Sequence, residues 1–346
     1  MSAIFCKIKI IFTYYYDILN FIYYRLTGGI NMSFIILIIG FFFLIKGADL
    51  FVDGTSSIAR KFNVPPMVIG LTIVAMGTSA PEAAVSITSS LAGQNDMSVA
   101  NVVGSNFFNI LVVLGVSAIL AKLPVEKNTI RKDTPFLILI SLLLLLFGIN
   151  MNVSRIEGII LLVLFAYFLY STVMNAKSTS SESVAETATT AELEVGEEMA
   201  MGKTILLSII GIIGIILGGD MVVNSATNIA TSFGMSANLV GLTIVAIGTS
   251  LPEFVTSVIA VRKGETEIAI GNVIGSNIFN ILLVLGLAAT ISPINISMFA
   301  LIDIVFMFAI TILLYFFIKK SNSLVRYQGI IFIVIYLAYM TYTIIR

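Results

Sequence analysis

Apolar runs of about 20 residues, separated by short polar gaps, recur along this chain, and a helical run of that length spans a bilayer. Ten are read as spanning helices, at 33–59, 66–92, 98–121, 133–150, 155–174, 203–230, 237–262, 267–291, 297–318 and 326–345. The first and sixth are long enough to tilt. An all-α membrane protein is therefore expected. One gap is long: Ala176 to Gly202 carries six glutamates and no aromatic residue, as a solvated linker does. A flexible tether is the reading preferred over a calcium-sensing strip, because long polar loops are usually linkers. At the other end, Met1 to Asn31 mixes charges and tyrosines in a way that suits a spanning helix poorly, and it has no small-residue cleavage site. It reads as an artefact of start-site choice rather than an interfacial amphipathic segment, with Met32 opening onto the first good span. The expected organisation is an extension at 1–31, a first unit at 32–174, an acidic linker at 175–202 and a second unit at 203–346.

The two units repeat one another. Gly70 to Ala92 reads GLTIVAMGTSAPEAAVSITSSLA, and Gly241 to Lys263 reads GLTIVAIGTSLPEFVTSVIAVRK. After a polar gap the copies continue as VANVVGSNFFNILVVLGVSA from Val99 and IGNVIGSNIFNILLVLGLAA from Ile270. Glu82 and Glu253, Ser105 and Ser276, and Asn109 and Asn280 are all 171 residues apart. The same offset pairs Asp49 with Asp220 and Asp53 with Asn224, which argues for duplication. Five spans per copy is an odd number, so the second copy enters the membrane from the opposite side. Ten helices in two inverted five-helix repeats follow, an arrangement that places a transporter's site where the repeats meet.

Charge sets the orientation. Thirteen Lys and Arg lie on the side reached after odd-numbered spans, against five at most on the other, counting Lys7, Lys9 and Arg25. Positive loops stay inside, so both termini are expected outside a cell membrane. The chain is 58% hydrophobic and only 11% charged, far below the roughly 25% charged of soluble domains. Formal net charge is zero, which leaves no case for nucleic acid. Histidine is absent and Cys6 is the single cysteine, so any ion site is built from oxygen and favours hard cations.

Glu82 and Glu253 each fall near the middle of a span. Insertion scales put a carboxylate there at a cost of about 2.5–3.5 kcal/mol, and such acids mark ion pathways. A structural salt bridge is the bland alternative, but Lys46 is the only deep base and cannot neutralise both. Pro81 and Pro252 each precede a glutamate, removing a helix bond and clashing with the carbonyls of Gly77 and Gly248. Broken helices expose carbonyl oxygens, tolerable only where they line a cavity or site. Ser79, Glu82, Ser86 and Ser89 form one stripe, and Asn101, Ser105 and Asn109 another. Ser250, Glu253 and Ser257, then Asn272, Ser276 and Asn280, repeat the pattern. Ligation is the preferred role for the Ser and Asn on the glutamate level, and helix packing for Gly104, Gly115, Gly275 and Gly286. Two carboxylates match one Ca²⁺, or two or more Na⁺ with charge spread over neutral oxygens. Mg²⁺ gives up its waters too reluctantly.

GTSAPE with VGSNFFN, and GTSLPEF with IGSNIFN, resemble the α-repeats of the cation/calcium exchanger superfamily, prokaryotic sodium/calcium exchangers above all. The resemblance covers Met32 to Arg346. It implies alternating access by sliding the helices at 33–59 and 203–230 against a fixed core. It also implies calcium held by the carboxylates of Glu82 and Glu253 and the carbonyls of Thr78 and Thr249. Sodium sites would add Ser79, Ser250, Ser105 and Ser276 with the carbonyls of Ala75 and Ala246, while Asn109 and Asn280 line the centre. Some relatives carry aspartate at the position of Asn280; asparagine in both repeats argues against potassium co-transport.

Sodium-driven calcium export is thus the expected function, with no catalytic residues and no cofactor. Calcium and sodium ions and the lipid bilayer are the expected partners of a monomer. A proton/calcium exchanger of the same fold is the nearest rival, a cation channel the next, and an intramembrane protease the last, since paired acids can activate water.

Overall fold

The computed structural model describes residues 30–91, 93, 95–186, 200–235 and 246–345. The calls on the N-terminal extension and on the start of the span at 237–262 lie outside the described residues.

The described chain is all but entirely helical. α1 (Ile30–Lys61) leads to α2 (Pro66–Thr78) and α3 (Ala80–Leu91), which meet at a 48° bend. α4 (95–120) runs through Asn95–Phe108, a wide turn at Asn109–Val113 and Leu114–Leu120. Then come α5 (Thr134–Gly148) and α6 (Arg155–Glu186). The second half has α7 (Met201–Ser232), α8 (Ala246–Thr249), α9 (Leu251–Arg262), α10 (Thr266–Ile291), α11 (Met298–Ser321) and α12 (Arg326–Ile345). Six described helices are long and apolar enough to cross a membrane, or seven if α2 and α3 form one bent span.

Local sequence sets several of these ends. Pro66 sits in the first turn of α2, where its missing N–H costs nothing. Ser154 and Glu157 cap α6 reciprocally: the Ser154 amide donates to the Glu157 carboxylate at 2.6 Å, and the Glu157 amide to the Ser154 hydroxyl at 3.3 Å. Ser297 caps α11 by accepting from the Ala300 amide at 3.2 Å, and Asn322 ends that helix with φ +50°. The helix α6 continues to Glu186, twelve residues past its predicted end at 174 and into the predicted linker. Nothing in a polar run without Pro or Gly forces a stop there.

Two short ribbons tie the halves together. β1 (Leu123–Pro124) pairs antiparallel with β4 (Ser323–Leu324), and β2 (Asn152–Val153) with β3 (Ile294–Asn295). Each ribbon joins one loop of each half, and the repeat offset maps one ribbon onto the other.

The layers differ in burial. The apolar stretch of α10 is 94% buried and that of α4 78%, against 33% for α1, α7 and α11. α4 and α10 therefore form the core, and the outer helices turn apolar faces outward, as lipid requires. α1 and α7 cross against each other almost backbone to backbone. A Cβ on Gly47 would come within 2.6 Å of the Ile215 amide nitrogen, and one on Gly218 within 2.4 Å of that of Leu44. Small residues permit this approach. The packing role expected of glycines holds for Gly115, Gly275 and Gly286, each tight against a neighbouring helix. Gly104 has no described neighbour within 4 Å of such a Cβ, so packing does not account for it among the described residues.

Candidate cation site

The breaks at Ser79 and Ser250 build the centre. Ser79 (φ −82°, ψ 7°) interrupts α2 and α3, and Ser250 (φ −92°, ψ 5°) interrupts α8 and α9. Pro81 and Pro252 follow two residues later, where each removes an amide donor. Thr78 and Thr249 close the helices before the breaks, where terminal carbonyls have no intrahelical partner. Ala75 opens the turn before Thr78 and is buried, and Ala246 takes the matching place at the start of α8.

The two glutamates meet through serines of the opposite half. Ser79 Oγ donates to Glu253 Oε1 at 2.9 Å, and Ser250 Oγ donates to Glu82 Oε1 at 3.2 Å. Within each half Ser105 reaches the same oxygen of Glu82 at 3.5 Å, and Ser276 that of Glu253 at 3.4 Å. Both glutamates and all four serines are buried. Each carboxylate is thus held by one oxygen, while Glu82 Oε2 and Glu253 Oε2 are buried with no protein partner. Lys46 does not compensate them: it is exposed and lies 3.8 Å from Asp49. Among the described residues no Lys or Arg is ion-paired to either glutamate. Buried charges in proteins are paired or coordinate metals, so two free carboxylate oxygens at one centre call for a cation.

A second layer fixes the first. Asn101 Nδ2 donates to the Glu82 carbonyl at 3.2 Å and to Ser86 Oγ at 3.0 Å. Asn272 does the same to the Glu253 carbonyl at 3.4 Å and to Ser257 Oγ at 2.9 Å. Thr78 Oγ1 donates across the repeats to Asn272 Oδ1 at 3.0 Å, and Thr249 Oγ1 to Asn101 Oδ1 at 3.4 Å. Ser86 and Ser257 therefore position asparagines, one step behind the glutamates.

Asn109 and Asn280 sit deeper in α4 and α10, each opening a wide turn (Asn109–Val113, Asn280–Val284) of the kind found at functional sites. Neither hydrogen-bonds a glutamate side chain. Asn109 Nδ2 donates to Asn277 Oδ1, and Asn280 Nδ2 to Asn106 Oδ1, both at 3.1 Å. That leaves Asn109 Oδ1 and Asn280 Oδ1 buried with no partner, two more oxygens for a cation. Asn106 and Asn277 were missed by the polar-stripe reading, because they fall one residue off the Ser105 and Ser276 face. Their recurrence in GSNFFN and GSNIFN was the available signal.

Comparison with known proteins shows the family. A family model described as sodium/calcium exchanger protein matches residues 32–174 and 203–345. The "Putative antiporter CaxA" of Alkalimonas amylolytica is 45% identical over 259 residues, covering 75% of this chain and 81% of that protein. The "Sodium/calcium exchanger MaX1" of Methanosarcina acetivorans is 32% identical over 343 residues, covering 90% and 98%. A solved structure of the sodium-calcium exchanger NCX_Mj, soaked with Na⁺ and Sr²⁺, superposes with a TM-score of 0.79 at 32% identity, covering 90% of this chain and 99% of that one. The chain is a multi-pass membrane transporter, not an enzyme, and it belongs to the sodium/calcium exchanger protein family.

Proposed function

We propose that this protein is a sodium/calcium antiporter that uses inward sodium flow to export calcium through one alternately exposed centre. The observation that carries this reading is the reciprocal bonding of Ser79 with Glu253 and Ser250 with Glu82. Two inverted five-helix repeats in ten spans, with both termini outside the cell membrane, fit the 171-residue offset and the charge bias. The domain boundaries at 32–174 and 203–346 and a monomeric state go with it.

Calcium, as substrate, would take the free oxygens of Glu82 and Glu253 with the carbonyls of Thr78 and Thr249. Its two charges balance the two carboxylates, and oxygen donors suit it. Sodium would take the same carboxylates together with Ser79, Ser105, Ser250 and Ser276 and the carbonyls of Ala75 and Ala246. Asn109 and Asn280 supply neutral oxygen at the centre. Because the carboxylates are shared, calcium and a full sodium load exclude each other, and that exclusion couples the two fluxes. The names of the matched family and of MaX1 support the ion pair.

Reconstitution into liposomes tests the coupling. An outward-to-inward sodium gradient alone should drive calcium uptake or release against it, and a pH gradient alone should not. Calcium flux driven only by the pH gradient replaces this reading with a proton/calcium exchanger. Flux without counterflow replaces it with a channel.

A further inference from the structure

At the Lys61 end of α1, ion pairs fasten that helix to the turn between α9 and α10. Lys263 Nζ lies 2.7 Å from Asp49 Oδ1 and 2.6 Å from Asp53 Oδ1, and it also donates to the Asp49 carbonyl at 2.9 Å. Burial works against the charge on Lys263, but the two aspartates outweigh it and hold the amine above its usual range. About two helical turns past Asp53, Arg60 Nη1 lies 3.0 Å from Glu265 Oε1 and braces itself on Ser57 at 3.4 Å. Lys46, 3.8 Å from Asp49, is the remaining charge in the cluster.

The repeat offset gives the residues that would form this cluster at the opposite end. They are Asp220, Asn224 and Thr231 on α7, and by the same offset Ala92 and Gln94 stand in sequence where Lys263 and Glu265 stand in the other half. Only the first aspartate keeps its charge, and both partner charges are gone. Asp220 accepts from Asn224 instead, with no ion pair among the described residues. Packing follows the charges. α1 lies along α9, whereas α7 makes no comparable contact with α3 among the described residues. Thr256 in α9 is accordingly buried, and its counterpart Val85 in α3 is half-buried.

We propose that Lys263, Arg60 and Glu265 form an ionic latch with Asp49 and Asp53 that holds α1 shut at one end and biases the transporter toward opening at the other. They are positioning residues and touch no ion. The proposal deepens the antiporter reading in one respect, since the orientation given there makes the latched end cytoplasmic. Duplicated halves with identical ends would populate both states equally, and a charge cluster at one end, with no counterpart among the described residues at the other, breaks that balance. Exposed ion pairs are individually weak, yet a transporter's two states lie close enough in free energy for a few such pairs to shift their populations.

The test reads conformation, not flux. In a Cys6→Ser background, single cysteines at Thr256 and at Val85 report the two ends through their rates of reaction with a membrane-impermeant maleimide, measured in vesicles of both orientations without added calcium. The parent should label at Val85→Cys and stay protected at Thr256→Cys. Lys263→Met and Arg60→Glu should each shift the ratio about fivefold toward Thr256→Cys. Arg60→Glu with Glu265→Arg should restore it. Ala92→Lys with Asn224→Asp, which gives the second half the charges that the repeat offset assigns to Lys263 and Asp53, should protect Val85→Cys. An unchanged ratio in Lys263→Met and Arg60→Glu overturns the latch, as does failure of the charge-swapped pair to restore labelling. A wrong choice of driving ion would leave these rates untouched, so the two readings fail separately.

Discussion

At the centre of this molecule each half finishes the other's carboxylate, with Ser79 on Glu253 at 2.9 Å and Ser250 on Glu82 at 3.2 Å. At the ends of the long helices the halves part company. Lys263 meets Asp49 and Asp53 at one end, while the corresponding positions at the other are Ala92, Asp220 and Asn224. The same duplication therefore kept its polar residues around the two buried carboxylates and lost its symmetry at the ends of the long helices. A ligand set works only if both halves contribute matching oxygens. A two-state cycle needs no such match, and unequal ends set which state rests.

The sharpest way to break the central symmetry is to remove one carboxylate. Glu82→Gln and Glu253→Gln should each lower calcium transport by at least about a hundredfold, since an amide leaves one of calcium's two charges uncompensated in a buried site. Asp96→Asn, outside the centre, should leave transport intact. Calcium flux in liposomes, compared across the three variants, checks this, and unequal losses in the two glutamine variants would show that the halves bind unequally.

A smaller effect is expected one bond further out. Ser79→Ala and Ser250→Ala each free an oxygen of the opposite glutamate, and loss of a hydrogen bond to a charged group costs about 1.5–3 kcal/mol. Each should weaken apparent calcium affinity about tenfold or more, which isothermal titration in detergent would measure. If the crosswise bonds are equivalent, the two losses match.

The smallest effect lies off the centre, near the loop before α5. Burial, then the carboxyl groups of Glu267 and Asp133, push Glu126 up to about 7. A carboxyl whose folded value is raised binds its proton more tightly in the folded chain. Its contribution is therefore most favourable below the ordinary carboxylate range and is lost as pH climbs through about 7. Thermal unfolding in detergent should show lower stability at about pH 8 than at about pH 6, and Glu126→Gln should flatten that slope. Partial exposure keeps the stability difference small.

Much of this was legible in the chain itself. Pro81 and Pro252 forecast the breaks, because a missing amide and a ring clash act locally and need no partner. The midspan position of Glu82 and Glu253 forecast two buried carboxylates without a basic partner, because Lys46 is too far along α1 to neutralise both. The constant offset forecast that the two would meet. The run of α6 past 174 to Glu186 was not legible, since a hydropathy reading ends the helix where the apolar run ends, while a polar stretch without Pro or Gly carries no local stop. Asn106 and Asn277 were passed over because they fall one residue off the stripe that Ser105 and Ser276 define, and only the packing of α4 against α10 turns them toward Asn280 and Asn109.

The sequence by itself determined the helical class, the duplication and the residues able to ligate a cation, since these follow from hydropathy, offset and side-chain chemistry. Only the tertiary structure decided which oxygens remain free, that serines cross between the halves, and that glycines bring α1 and α7 into contact. Those depend on distances between residues far apart in the chain, and no local propensity encodes such distances. The unequal ends needed both. The offset names Lys263 and Ala92 as counterparts, but only the fold places Lys263 between two carboxylates of another helix.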